Sequence, residues 1–303
     1  MTRAGGRSDP YLAGMSTSTP PAIQADLNTL MRERNEEHAS RAAAKFALAV
    51  QPIYGANDRS DPVHIGSAVL LDVHGTKVMI TAAHVIDNNS GNRPTSLYVG
   101  GGANLELIDA DFAVSAAPNY LRKLDRYDIA FCALPPALIE KLGGTYIGVA
   151  DMARHAPYEQ GRLYTAIGFP NTMNKVSWPE RKARKLHPEM LRYTNTYRLD
   201  EEVARGLPNG GENHIFIPYG DKWKDVDGFV ENAKKPIGMS GGAMIDCGKA
   251  STPETAAGTN EPTQRLAGIS VEFKEERVMI ATRMAVILPE LEKHFPPPSK
   301  EKC

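Results

Sequence analysis

A serine hydroxyl attacks a carbonyl at neutral pH only when a base takes its proton and a third group orients that base. The chain offers a segment for each role: Gly238-Met239-Ser240-Gly241-Gly242, Thr81-Ala82-Ala83-His84-Val85 and Tyr127-Asp128-Ile129-Ala130-Phe131. Ser240 is the candidate nucleophile, in a turn whose glycines reach backbone angles closed to other residues. His84 is the candidate general base. It follows an apolar strand and two small alanines, which permit close approach, and an imidazole there titrates near neutrality. Asp128 is the candidate orienting group, because a carboxylate opening an apolar strand is costly without a partner and the His84 N–H is one. Two other carboxylates compete for that role. Asp125 lies in a charged run with Arg122, Lys123 and Arg126 and reads as solvated, and Asp87 lies in a polar loop with Asn88 and Asn89. Taken singly, each segment is equally a Gly-rich turn, a surface histidine or a solvated acid. Their joint presence in the order His, Asp, Ser sets them apart.

Thr-Ala-Ala-His with Gly-x-Ser-Gly-Gly resembles the trypsin/chymotrypsin-like serine peptidases, of the bacterial intracellular kind without disulfides. The resemblance covers roughly residues 44 to 295. It implies a triad of His84, Asp128 and Ser240, with Asp-Ile-Ala as the orienting motif. It also implies an oxyanion hole from the N–H groups of Gly238 and Ser240, and no cofactor or metal. Asp128 and Ser240 are 112 residues apart, a long interval that implies an insertion at 171–235. Zymogen-activated relatives carry Asp before the serine and an Ile-Val-Gly-Gly-like start. Here Met239 stands before Ser240, so the site is expected to form without N-terminal cleavage. Lys234, followed by Lys235, occupies the position that floors the primary pocket in such relatives. The resemblance places Ser270, Val271 and Glu272 on the opposite wall. An inward Lys234 would favour acidic substrate side chains, an inward Glu272 basic ones; the expectation is that both lysines face water.

The elements that must carry these residues read mainly as short strands. Phe46–Tyr54, Ile65–Val73 and Lys77–Thr81 lead into the His84 loop, with a tight turn at His74-Gly75-Thr76. Further runs are expected over 96–99, 105–114, 128–134, 146–149, 163–168, 193–198, 214–218, 243–246, 266–273 and 278–283. About a dozen strands with turn signals fit an all-β sandwich or barrel pair rather than βαβ units. The resemblance sharpens this to two six-stranded antiparallel β-barrels, chymotrypsin-like, with an N-terminal and a C-terminal helix. The division would be a disordered segment over 1–22, a helical extension over 23–43 and a protease domain over 44–295. That domain holds a first barrel over about 44–140, a second over about 141–283 and a helix over 284–294; residues 296–303 form a tail. In the extension Ile23, Leu27, Leu30 and Met31 fall at helical spacing, and the expected role is packing on the barrel.

With 303 residues the chain buries a proper core, and a formal net charge of −1 gives no argument for nucleic acid or an anionic membrane as partner. Lys175, Arg181, Lys182, Arg184, Lys185 and Arg192, interleaved by Trp178 and Tyr193, form a basic stretch. Acidic Asp200, Glu201 and Glu202 flank it, which fits a solvated loop. Cys132, Cys247 and Cys303 are too few and too far apart for a disulfide framework. No signal pattern opens the chain and no apolar run approaches the ~20 residues of a membrane span, so a cytoplasmic setting is expected. His38, His64, His74, His155, His187, His214 and His294 read as surface histidines, and no metal-ligand spacing occurs. The expected function is a serine endopeptidase acting on protein or peptide substrates, with small esters as side chemistry. A regulatory protein partner would bind residues 23–43 or the 171–235 insertion. The rival reading is a protease-fold binding or signalling module with little turnover.

Overall fold

The computed structural model of the chain describes residues 21–89, 96–100, 105–154, 161–183, 185–207, 211–220, 222–224, 230–232, 234–252, 255, 264–274 and 277–298. The fold is built mostly of antiparallel strands. The first sheet takes β1 (Val50–Ala56), β2 (Pro62–Val73), β3 (Thr76–Ala82), β4 (Tyr98–Val99), β5 (Glu106–Leu107), β6 (Ala113–Val114) and β7 (Ile129–Ala133), in the order β5-β4-β1-β2-β3-β7-β6. A short β8 (Ile147–Gly148) runs parallel to β2, making eight strands rather than six. The second sheet has six strands: β9 (Arg162–Gly168), β10 (Leu191–Thr196), β11 (His214–Pro218) and, beyond a two-stranded pair of β12 (Lys222–Lys224) and β13 (Val230–Asn232), β14 (Ala243–Lys249), β15 (Arg265–Lys274) and β16 (Val278–Arg283). Its order is β10-β9-β14-β15-β16-β11. The segment expected as an insertion therefore supplies both edge strands of this sheet, since β10 pairs with β9 and β11 with β16.

Apolar runs drive the strands, and the central ones are buried on both faces. In β2, Ala68, Val69, Leu70 and Leu71 are all fully buried, and so are Val78, Met79 and Ile80 on β3. The β2–β3 turn uses positive φ at His74 and Gly75, and Asp72 Oδ1 accepts from the Gly75 N–H at 2.8 Å. This is the twist-matched hairpin geometry that favours Gly at its second position.

Among the described residues six α-helices decorate the sheets: α1 (Pro21–Phe46), α2 (Ala83–Asn89), α3 (Pro136–Leu142), α4 (Trp178–Ala183), α5 (Glu201–Gly206) and α6 (Met284–His294). Most of the segment expected to be disordered, residues 1–20, lies outside the described residues, while 21 and 22 belong to α1. The packing face of α1 is not the expected one. Ala39, Ala42 and Phe46 are buried, whereas Leu30 is half exposed. The helix leads into the first sheet yet packs on β9 and β14 of the second. There Glu36 pairs with Arg192, and Asn35 Oδ1 accepts from the Ser251 N–H at 2.8 Å. Small alanines let its C-terminal half approach the sheet closely, which overrides the weak apolar spacing of its first half. In the last element, α6, Met284, Ile287, Leu288 and Leu291 are buried and close the core. Among the described residues no helix is long and apolar enough to cross a membrane.

Candidate active site

Three acceptors of one residue hold the Ala83-His84 segment. The Asp128 main-chain oxygen accepts from the Ala83 N–H, its Oδ1 from the His84 N–H (both 2.9 Å), and its Oδ2 lies 2.6 Å from His84 Nδ1. Asp128 makes all three because it sits in the left-handed region, at φ +50°, which Asp and Asn tolerate better than most residues. The carboxylate fixes the imidazole with Nδ1–H as donor and leaves Nε2 as the basic nitrogen. Burial alone would lower the His84 pKa. The hydrogen bond and charge of Asp128, with the charges of Glu272 and Asp87 added, outweigh burial and raise it above its ordinary 6.5.

The nucleophile turn is clamped between the two sheets. Ser240 O accepts from Ser67 N–H on β2 at 2.8 Å. The Gly241 N–H donates to Ser270 O on β15 at 2.6 Å, and the Ser270 N–H donates back to Gly242 O at 2.8 Å. Gly241 is required twice over. Its φ is +87°, and a Cβ would fall 1.9 Å from Ser67 O and 2.3 Å from Thr81 Oγ1.

Both amides expected at the oxyanion hole have their directions set by the carbonyls of their own peptides. In a trans peptide the N–H points opposite the C=O. Ile237 O accepts from the Asn171 N–H at 2.7 Å, which turns the Gly238 N–H the other way, and Met239 O accepts from the Gly242 N–H at 2.8 Å, which does the same for Ser240. Among the described residues neither N–H has a protein acceptor.

A cavity of about 440 Å³ is lined by His84, Asp128, Gly238 and Ser240 together with Ser270, Val271 and Glu272. The structure thus gathers those residues around one space. Lys234 is different: it and Lys235 are exposed and neither lines the cavity, the Lys234 carbonyl instead accepting from the Tyr219 hydroxyl. The solvation cost of an ammonium keeps the lysines outside. In the rotamer present, Ser240 Oγ donates to Val271 O at 3.3 Å rather than to His84.

Other expectations are corrected. Asp125 is buried, not solvated; its carboxylate takes hydrogen bonds from Arg122 Nη1 and Ser115 Oγ, each at 2.5 Å. Arg122 also reaches Asp87 at 2.7 Å, so both competing carboxylates have a partner other than His84. His38, His64 and His214 are buried rather than superficial. His64 donates from Nδ1 to Asn171 Oδ1 at 2.7 Å. His214 lines the cavity, and among the described residues its Nδ1 and the Ser270 Oγ, both buried, have no hydrogen-bond partner. A histidine opening the apolar run His214-Ile215-Phe216-Ile217 was the available signal for its burial. His155 lies outside the described residues. In the basic stretch Arg192 is engaged by Glu36, and Tyr193 packs on Tyr219 with ring centroids 4.2 Å apart. Cys132 and Cys247 are free and buried, and desolvation pushes their thiols up to about 12 and about 11. Among the described residues no group of three or more His, Cys, Asp or Glu side chains is placed to hold a metal ion.

No family model matches the chain, and no curated protein matches its sequence. The functional reading therefore rests on the motifs and the geometry of this site.

Proposed function

We propose that the chain is a serine endopeptidase of the trypsin/chymotrypsin-like kind, its two sheets forming the two barrel halves with the site between them. One observation carries the reading. His84 is joined to Asp128 at 2.6 Å and shares a cavity with Ser240, which sits on a turn hydrogen-bonded to both sheets. Ser240 Oγ leaves Val271 O by rotation about χ1 and gives its proton to His84 Nε2 as it attacks the scissile carbonyl. The imidazolium formed is stabilised by Asp128, and the N–H groups of Gly238 and Ser240 receive the oxyanion. His84 then protonates the leaving amine. Water, deprotonated by the same imidazole, hydrolyses the acyl-enzyme. No step calls for a cofactor.

The substrate class is protein or peptide. An exposed Glu272 and the absence of Lys234 from the cavity wall favour basic over acidic side chains at this rim. The Ser240–Val271 hydrogen bond favours a second reading, a protease-fold binding or signalling module with little turnover. A fluorophosphonate probe separates the two. The peptidase reading expects covalent labelling of the full chain that Ser240→Ala and His84→Ala abolish, with peptide hydrolysis lost in parallel. An unlabelled wild-type chain, or hydrolysis that survives Ser240→Ala, overturns it.

A further inference from the structure

An oxyanion turn needs an anchor, because peptides around a glycine flip easily. A charged residue before the nucleophile is one solution. Here that residue is Met239, whose side chain is fully buried and carries no charge. We propose that Asn171, held in place by His64, is the anchor that orients the Gly238 N–H in this chain. The proposal rests on the serine-peptidase reading and names positioning residues for it.

Three observations converge on Asn171. Its main-chain N–H holds the Ile237 carbonyl at 2.7 Å, and so fixes the peptide that carries the Gly238 N–H. Its side chain fills the space beside Gly238, where a Cβ would fall 2.0 Å from Asn171 Oδ1. With Gly238 at φ +97°, no bulkier residue fits between the turn and the amide. Its Oδ1 accepts from His64 Nδ1 at 2.7 Å.

His64 is suited to hold it. It is buried on β2, where its ring stands edge-on to Tyr54 with centroids 5.5 Å apart. Burial keeps it neutral, with a pKa pushed down to about 4, although its bond to Asn171 pulls the other way. Its single proton is then committed to Nδ1, since Asn171 Oδ1 can only accept. Three positions along β2, Ser67 Oγ takes the Phe169 N–H at 2.9 Å and donates to Gly238 O at 3.1 Å. The first sheet therefore grips the turn on both sides of Gly238, through His64–Asn171 before it and Ser67 after it. Asn171 also lines the cavity, yet among the described residues none of these side chains hydrogen-bonds to His84 or to Ser240 Oγ.

The test uses the full chain as wild type, Asn171→Ala, His64→Leu and His64→Gln. Loss of one oxyanion donor costs roughly 10²–10³ in kcat. Asn171→Ala and His64→Leu are expected to lose on that order in kcat, with KM changed less than threefold. His64→Gln keeps an N–H for Asn171 Oδ1 and is expected to recover at least tenfold of the loss. Asn171→Ala removes no core side chain, so it reports even where His64→Leu fails to fold. Wild-type kcat in Asn171→Ala, or equal losses in His64→Leu and His64→Gln, overturns the proposal while leaving the peptidase reading intact. Crystal structures of wild type and Asn171→Ala read the Ile237–Gly238 peptide without recourse to activity. A reoriented peptide in the variant supports the anchor, and an unchanged one refutes it, even in a chain that fails to label.

Discussion

Two buried histidines should make this fold sensitive to mild acid. His64 and His214 are each pushed down to about 4 from the ordinary 6.5, by burial first and, at His214, by the Arg283 charge as well. In the unfolded chain both take up a proton near pH 6.5, whereas in the fold they resist until about pH 4. Within that window the unfolded state binds more protons, so stability is full above pH 6.5 and is lost as the pH falls toward 4. A gap of about 2.5 pH units at about 1.36 kcal/mol per unit amounts to roughly 3 kcal/mol for each histidine. Together they reach about half of a typical domain's stability of ~5–15 kcal/mol. His84 works in the opposite direction, because its raised pKa makes its contribution present below 6.5 and lost as the pH rises. The lowered carboxylates Asp72, Glu180 and Glu292 release their contribution mainly below about pH 4.5. Urea unfolding at pH 7.0, 6.0, 5.0 and 4.5 therefore isolates the histidines, with the double variant His64→Gln/His214→Gln as control. The wild type should lose several kcal/mol over this range and the double variant much less. A wild-type stability flat to within about 1 kcal/mol, or an equal slope in the double variant, would refute the burial argument.

Four further outcomes follow from the geometry. Asp128→Asn keeps the left-handed backbone and an oxygen for the His84 N–H but puts an N–H donor opposite Nδ1. Turnover should fall on the order of 10⁴, the figure known for this change in an established triad, with the melting temperature nearly unchanged. Glu272→Gln removes a charge that raises the His84 pKa, so the acidic limb of the kcat/KM profile should move to lower pH. Gly241→Ala drives a methyl into Ser67 O and Thr81 Oγ1 and should cost about 2–4 kcal/mol in urea unfolding, with labelling lost. A maleimide should leave Cys132 and Cys247 unmodified in the folded chain, and reductant should not shift the melting temperature, because both thiols are buried and protonated.

Much of the sheet architecture was legible because apolar runs and turn residues are local signals. The strand over 278–283 and the helix over 284–294 appear with the bounds their patterns suggest. The run over 105–114 does not, since only 106–107 and 113–114 find strand partners. Helices α2 to α5 span six or seven residues, too few to show a periodicity. The first strand begins at Val50 rather than Phe46 because α1 runs through Phe46 and a 3-10 turn takes Ala47–Ala49. The candidate site was legible as three motifs, each in its own local setting. What surrounds it was not, because the partners are distant in sequence. His64 meets Asn171 across 107 positions, Ser67 holds the Ser240 carbonyl from the other sheet, and Lys234 faces solvent through loop geometry that spacing cannot encode.

The seat of α1 gives the protein a late step in its own synthesis. This helix is made before the strands of either sheet, but its docking partners are Arg192 on β10, the main chain at Ser251, and strands β9 and β14. Its buried residues Ala39, Ala42 and Phe46 must wait for about two hundred more residues, on the order of 10–40 s at ordinary elongation rates. Over that interval the first sheet can form with α1 undocked. The second sheet is completed only when β16 emerges, after Ser240 itself. Lys45, paired with Asp151 at 2.6 Å, then joins the end of the helix to the segment leading into the second sheet. A chain arrested before residue 243 holds His84, Asp128 and Ser240 but lacks β14 to β16, and so has neither Ser270 to clamp the nucleophile turn nor a complete surface for α1. Vectorial synthesis thus keeps the candidate site unassembled until the strands that follow Ser240 have been made.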